Sequence, residues 1–186
     1  MTTAVSIADA FLAGRGDDAA TLVFEYLAAT QAEMGQPAPA GPGELPPALQ
    51  RECRDLRAVY RQPGALLVAC ADGQTAGCVG LVPWSHQPTA QIKRLYVRPA
   101  WRRLGIARAL VGHAHHHAAH HGVTRLVLNV LPARTGAIGF YRGLGYSQTE
   151  PWATGSSVPM IYMQRPLNER DLRTPCPAPD GRPGGR

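Results

Sequence analysis

Gln91–Ala109 reads QIKRLYVRPAWRRLGIARA. Its first half alternates as a half-buried strand does, with Ile92, Arg94 and Tyr96 on one side and Lys93, Leu95 and Val97 on the other. Pro99 ends the strand, because proline brings no N–H to a sheet ladder. From Arg102 the spacing turns helical. Ile106, Leu110, Ala114 and Ala118 mark the inward face of a helix reaching about His121, with Gly122 as its C-terminal cap. Between strand and helix lies RRLGIA, where Gly105 lets the backbone come close to something. Such a junction aims free backbone N–H groups and the positive end of a helix dipole at one point, which suits an anion, above all a phosphate. Six basic residues (Lys93, Arg94, Arg98, Arg102, Arg103 and Arg108) fall in this stretch without an acidic one, against a formal net charge of +6 for the whole chain. The basicity is therefore concentrated here.

Working outward, GALLVACA (64–71) and AGCVGLVP (76–83) are apolar runs joined by Asp72-Gly73-Gln74-Thr75, an antiparallel hairpin signal. Ala4 to Ala10 is a short first strand. Asp17 and Asp18 offer N-cap chemistry. Leu22, Val23, Tyr26, Leu27, Thr30 and Met34 then predict an amphipathic helix over 18–34. GQPAPAGPGELPP (35–47) forms a loop. A second helix over about 47–60 carries Leu49, Cys53, Leu56 and Tyr60 on one face. Downstream, RLVLNVL (125–131) is the continuous apolar run of a strand covered on both faces. A short helix starts at Arg134 or Thr135 and runs through Leu144, ended by Gly145. Tyr146 to Thr149 and Val158 to Gln164 are closing strands. From Pro166 the sequence PLNERDLRTPCPAPDGRPGGR has little to bury and predicts a disordered tail. The division is a single domain over 1–165 and a tail over 166–186, with no internal repeat.

A chain of 186 residues is long enough for one proper core. No apolar run approaches the ~20 residues of a membrane span, and the N-terminus lacks the charged start and apolar centre of a signal peptide. Cys53, Cys70, Cys78 and Cys176 show no CxxC and no metal-like spacing, so a reduced, cytoplasmic setting is expected. The high pI permits nucleic-acid binding, but clustered cations against the phosphates of a cofactor are a simpler cause.

Arg102-x-x-Gly105-x-Ala107, preceded by IKRLYV-x-P and followed by NV…AIGFYRGLGY, resembles the acetyl-CoA signature of the GNAT superfamily of N-acetyltransferases. The resemblance covers residues 60–165 well, the N-terminal third in element order only, and the tail not at all. It implies a mixed α/β fold: a mostly antiparallel central sheet, split at two parallel strands, with helices on both faces. It implies acetyl-CoA as co-substrate, an amine acceptor (small molecule or peptide) lined on one side by the two N-terminal helices, no nucleic-acid or membrane partner, and a homodimer by analogy alone.

The resemblance places the cofactor's pyrophosphate on the backbone N–H groups of Arg103, Leu104, Gly105, Ile106 and Ala107, within the signature that begins at Arg102. It places the pantetheine arm between the Leu95-Tyr96-Val97 strand and the RLVLNV strand, with one N–H of the former facing the thioester oxygen. Asn129, polar in an apolar strand, is either a pantetheine contact or a satisfied structural amide. Arg134 stands where the family commonly has an asparagine that contacts the cofactor; a cation there could reach a phosphate. Tyr141 matches the family's general acid. A phenol (pKa about 10) stays protonated at neutral pH and can donate to a developing thiolate; the alternative is aromatic core. Gln91 replaces a glutamate that many relatives use as base. His86, water or an already neutral amine are substitutes. The run HAHHHAAHH (113–121) offers i,i+4 histidine pairs that could clamp a metal, but no carboxylate or cysteine accompanies them, and scaffold is the family reading, so no metal is assigned. Two rivals to the enzyme stand: a non-catalytic acyl-CoA-binding regulator, favoured by Gln91, and a basic nucleic-acid-binding module, which lacks any helix-turn-helix or RNP pattern.

Overall fold

The computed structural model describes residues 4–153 and 158–173. The strands are β1 (Val5–Asp9), β2 (Ala65–Ala71), β3 (Gln74–Pro83), β4 (Thr89–Val97), β5 (Arg125–Val130), β6 (Ser147–Gln148) and β7 (Ile161–Pro166). The helices are α1 (Gly16–Glu33), α2 (Pro47–Arg54), α3 (Leu56–Val59), α4 (Ile106–His120), α5 (Thr135–Arg142) and α6 (Glu169–Leu172). The strands form one sheet in the order β1-β2-β3-β4-β5-β7-β6. Among the described residues only β4 and β5 pair in parallel. This is the mixed, mostly antiparallel α/β architecture expected from the sequence.

Two apolar layers flank the sheet. On one face Leu67, Ala69, Leu81 and Ile92 pack with Ile106, Leu110, Val111 and Ala114 of α4 and with Tyr141 of α5. On the other, Leu66, Val68 and Cys78 pack with Leu22, Val23 and Leu27 of α1 and with Leu56 and Tyr60. β2 is buried along its whole length, which is why it reads as an unbroken apolar run rather than an alternation. No helix among the described residues is long and apolar enough to cross a membrane.

The strand that decides the fold departs from simple alternation. Arg94 sits at φ 56°, and the β3–β4 register shifts between Cys78 and Gly80. This is a β-bulge, which inserts one residue and changes which face the chain presents. Ile92 therefore shares a face with Leu95 and Val97, while Tyr96 packs on the α1 side. The expected grouping of Ile92 with Arg94 and Tyr96 holds only for the latter two.

Other boundaries moved for local reasons. α4 begins at Ile106, since Arg103 (φ 65°) and Gly105 (φ 81°) are left-handed. The second helix breaks at Asp55, whose carboxylate accepts the Ala58 N–H at 2.9 Å and so caps α3. Asp17 and Asp18 do not cap α1; they lie in its first turn, where their charge suits the helix dipole. The ordered chain also passes the expected boundary at 165. β7 ends at Pro166, and α6 follows with a capping box between Asn168 and Asp171. Asp171 is buried, bonds Arg165 at 2.9 Å, and its carbonyl oxygen lies 3.2 Å from His116 Nδ1. Residues 174–186, expected to be disordered, lie outside the described residues, Cys176 among them.

Candidate active site

The phosphate-like junction is built as an open anion cradle. Gly105 occupies the N-cap of α4 with no side-chain cap, and no acidic residue stands in the helix's first turn. The N–H groups of Arg103, Leu104, Gly105, Ile106 and Ala107 donate no hydrogen bond among the described residues. Those of Gly105, Ile106 and Ala107 are the orphan donors that a helix start leaves, and those of Arg103 and Leu104 come just before it. Gly105 is needed for its positive φ, and a Cβ there would meet nothing within 4 Å, so the space in front of the loop is open. Arg102, Arg103 and Arg108 are exposed around the loop, with Arg102 Nε held on the Val97 carbonyl at 3.0 Å. The other cations of the stretch face elsewhere: Arg98 binds Glu25 at 2.7 Å, and Lys93 and Arg94 turn to Glu52.

Next to this cradle the sheet opens. β4 and β5 pair only at Thr89/Arg125, Ala90/Leu126 and Gln91/Val127. Beyond that rung the bulge carries β4 away. A cleft of about 100 Å³ lies in the gap, lined by Lys93, Arg94 and Leu95 of β4, Leu128, Asn129 and Val130 of β5, Arg134, Ala137 and Tyr141 at α5, and Tyr26 of α1. Of the expected strand contacts, Leu95 lines the cleft with its side chain. Tyr96 turns toward α1, its ring 6.5 Å from that of Tyr26, and Val97 belongs to the core.

Tyr141 is 7% exposed and reaches the cleft. Burial, with a smaller push from Tyr26 and against the opposing charge of Arg134, raises its pKa well above the ordinary value. The phenol is thus protonated at neutral pH. Asn129 also lines the cleft; its Oδ1 lies 3.4 Å from Gln91 Nε2. Gln91 sits on the last paired rung, directly beneath the opening. Arg134, a cation that could reach a phosphate, lines the cleft and is held by α1. Its Nε donates to Glu33 at 2.7 Å, Nη2 to Thr30 at 2.7 Å and Nη1 to the Tyr26 hydroxyl at 3.1 Å. These bonds staple the start of α5 to α1 across the cleft.

One charged group that holds cations of the cleft, without lining it, had not been picked out from the sequence. Glu52 of α2 is buried and holds Arg94 by two hydrogen bonds, Nε at 2.8 Å and Nη2 at 2.6 Å. It also accepts from the Tyr60 hydroxyl at 2.7 Å and meets Lys93 Nζ at 3.4 Å. Burial alone would raise its pKa; the hydrogen bonds and charge of Arg94, aided by Lys93 and Tyr60, outweigh burial and hold it at about 2. Gly80 makes the arrangement possible, because a Cβ there would strike the Tyr60 ring. The signal was present: Glu52 falls on the same helical face as Leu49, Leu56 and Tyr60, where an acid is out of place without a partner.

The remaining candidates lie away from the cleft. His86 is exposed in the turn between β3 and β4 at φ 62° and does not line it. Among the described residues lining the cleft there is neither a carboxylate nor a histidine. In the histidine run, His115 is core: its Nε2 lies 2.9 Å from the Tyr146 hydroxyl, and burial and the charge of Arg165, opposed by Asp171, lower its pKa to about 4. The rings of His116 and His120 meet edge to face, and those of His117 and His121 stack. No set of three or more metal-ligating side chains converges among the described residues.

The sequence profile described as the acetyltransferase (GNAT) family matches residues 29–146, more than half of the chain. An uncharacterized N-acetyltransferase of Schizosaccharomyces pombe is 28% identical over 112 residues, 59% of this chain and 69% of that protein. Among solved structures, a GNAT-family acetyltransferase from Staphylococcus aureus superposes with a TM-score of 0.70 at 15% identity, covering 89% of this chain and all of the other. A phosphinothricin acetyltransferase from Sinorhizobium meliloti, solved with AcCoA, superposes with a TM-score of 0.60 at 18% identity, covering 91% and 90%. At these identities the structural likenesses carry the fold.

Proposed function

This chain belongs to the acetyltransferase (GNAT) family and is an acetyltransferase enzyme, and we propose that it moves an acetyl group from acetyl-CoA directly to a primary amine held in the cleft between β4 and β5. The observation that carries this reading is the parting of β4 from β5 beside an uncapped helix start. The residues present fit the donor: open space at Gly105, orphan N–H groups and exposed arginines suit a pyrophosphate, and the unpaired edge of β4 beyond Gln91 suits an extended arm. Acetyl-CoA supplies an activated acetyl thioester.

The chain's own residues do the rest. Orphan N–H groups at 103–107 hold the diphosphate without needing side-chain charge. One backbone N–H of the Leu95-Tyr96-Val97 stretch, on the strand that β5 has left, is the candidate to stabilise the oxyanion. Asn129 offers an amide to the arm from the opposite strand. Tyr141 donates a hydrogen bond to the leaving sulfur; burial keeps its phenol protonated and so able to donate at neutral pH. A base is not supplied by the cleft. Lys93, Arg94 and Arg134 surround it with positive charge, which disfavours a protonated amine and selects the neutral form.

The test is a panel of amines with acetyl-CoA, followed by release of free thiol. Turnover with at least one class of amine is expected. A silent panel, with acetyl-CoA bound by calorimetry, would overturn transfer to an amine.

A further inference from the structure

The cleft carries one positive charge more than its partners balance. Arg134 is matched by Glu33 and two hydroxyls of α1. Lys93 and Arg94 share a single carboxylate, Glu52, and Arg94 takes the better part of it, with contacts of 2.8 and 2.6 Å against 3.4 Å for Lys93. Glu52 is ionised at any pH above about 2, so the pair and its carboxylate sum to one uncompensated cation. Lys93 is that cation. Its side chain is 25% exposed, lines the cleft, and has donors to spare beyond its one long contact. Burial lowers its pKa, with Arg94 adding to the effect and Glu52 opposing, so the ammonium is a desolvated charge short of a partner. The donor's phosphates do not answer this need: their cradle lies past Val97, beyond the C-terminal end of β4, whereas Lys93 sits in mid-strand, and a neutral arm in the gap brings no anion.

We propose that the acceptor is a primary amine that also carries a carboxylate, and that Lys93 binds that carboxylate. The inference rests on the acetyl-transfer reading above and narrows it. With the carboxylate on Lys93, the amino group of a short acceptor lies in the same cleft as Leu95, Asn129 and Tyr141. An acceptor with a second cation at that place would face Lys93 and Arg94 without compensation. Lys93 is here a specificity residue.

Three four-carbon amines of similar size and basicity separate the possibilities: 4-aminobutyrate, butylamine and 1,4-diaminobutane, whose far ends are anionic, neutral and cationic. The full chain is assayed with each at saturating acetyl-CoA. The expected order of kcat/KM is 4-aminobutyrate, then butylamine, then the diamine. Lys93→Met lowers kcat/KM for 4-aminobutyrate about tenfold or more, through KM, the size typical of a charged hydrogen bond. Any effect of the lost cleft charge on amine protonation falls on both substrates, so the readout is the ratio of kcat/KM for 4-aminobutyrate over butylamine, which drops by that factor in Lys93→Met and which Lys93→Arg restores. Lys93→Glu brings the diamine forward. Equal rates in the wild type, or the diamine first, overturn the inference and leave the transferase standing. The wild-type order needs no variant, so a Lys93 variant that fails to fold does not protect the idea. If none of the three is acetylated, the inference falls; transfer to an amine falls with it only when the wider panel is silent too.

Discussion

Glu52→Gln removes one charge and almost no volume, and the structure sets what it costs. The carboxylate ordinarily titrates near 4.5 and in the fold near about 2. At about 1.4 kcal/mol per pH unit, that difference makes the ionised, partnered Glu52 worth about 3 kcal/mol of stability at neutral pH. A second route gives a similar figure, since breaking one side of a buried ion pair typically costs about 3–5 kcal/mol. Glutamine still accepts from the Tyr60 hydroxyl, so the lower end applies. For a chain of this length each 1 kcal/mol moves Tm by ~2–4 °C, and the variant should melt about 6–12 °C below wild type at pH 7. The pH dependence has a definite sign. A carboxylate with a depressed folded pKa stabilises the fold above its unfolded value, and the contribution is lost as pH falls through the folded one. The gap between wild type and variant should be full at pH 6–7, begin to shrink below about 4.5 and be largely gone near pH 2. Thermal melts followed by circular dichroism across that range decide it. A gap under ~2 °C at pH 7, or one unchanged down to pH 3, would refute the reasoning.

Three further outcomes follow from the site. Gly105→Glu should abolish acetyl-CoA binding by calorimetry, because it sets a negative charge at the uncapped helix start, and Gly105→Ala should weaken binding through its φ of 81° alone; unchanged affinity for both would place the donor elsewhere. Tyr141→Phe keeps the ring and should lower kcat by about 10²–10⁴-fold with little change in acetyl-CoA affinity; a variant as fast as wild type removes the acid role. With no carboxylate or histidine among the described residues lining the cleft, the wild-type rate should climb toward alkaline pH as the amine loses its proton, and Gln91→Glu should flatten that climb by placing a carboxylate beside Asn129; a flat wild-type profile would mean that another group takes the proton.

Much of this was legible in the sequence, and the exceptions share a cause. Periodicity found the strands and helices because burial on one or both faces writes itself into residue spacing. It found the loop at 102–107 because only a helix start and a glycine at positive φ are needed there. It missed what depends on distant partners. Glu52 and Arg94 are 42 positions apart, and nothing local to either announces the other. Arg134 stands where the resemblance places a cofactor contact, and nothing near it in the chain announces its partners Glu33, Thr30 and Tyr26, about a hundred positions away. α6 was lost in a proline-rich composition, although Asn168 and Asp171 stand at capping-box spacing and mark it.

The bulge at Arg94 is the local event on which both halves of the site depend. In a regular strand Lys93 and Arg94 would point to opposite faces, and one carboxylate could not reach both. The inserted residue removes that constraint, so both cations meet Glu52. The same insertion bends β4 from β5 after three rungs and leaves an unpaired edge beside Leu95. Glu52 then gives Arg94 a reason to stay at a φ that a non-glycine residue adopts only at some cost. The buried ion pair, the opening in the sheet and the surplus cation in the cleft are thus consequences of a single extra residue, and a chain without the bulge would lose all three together.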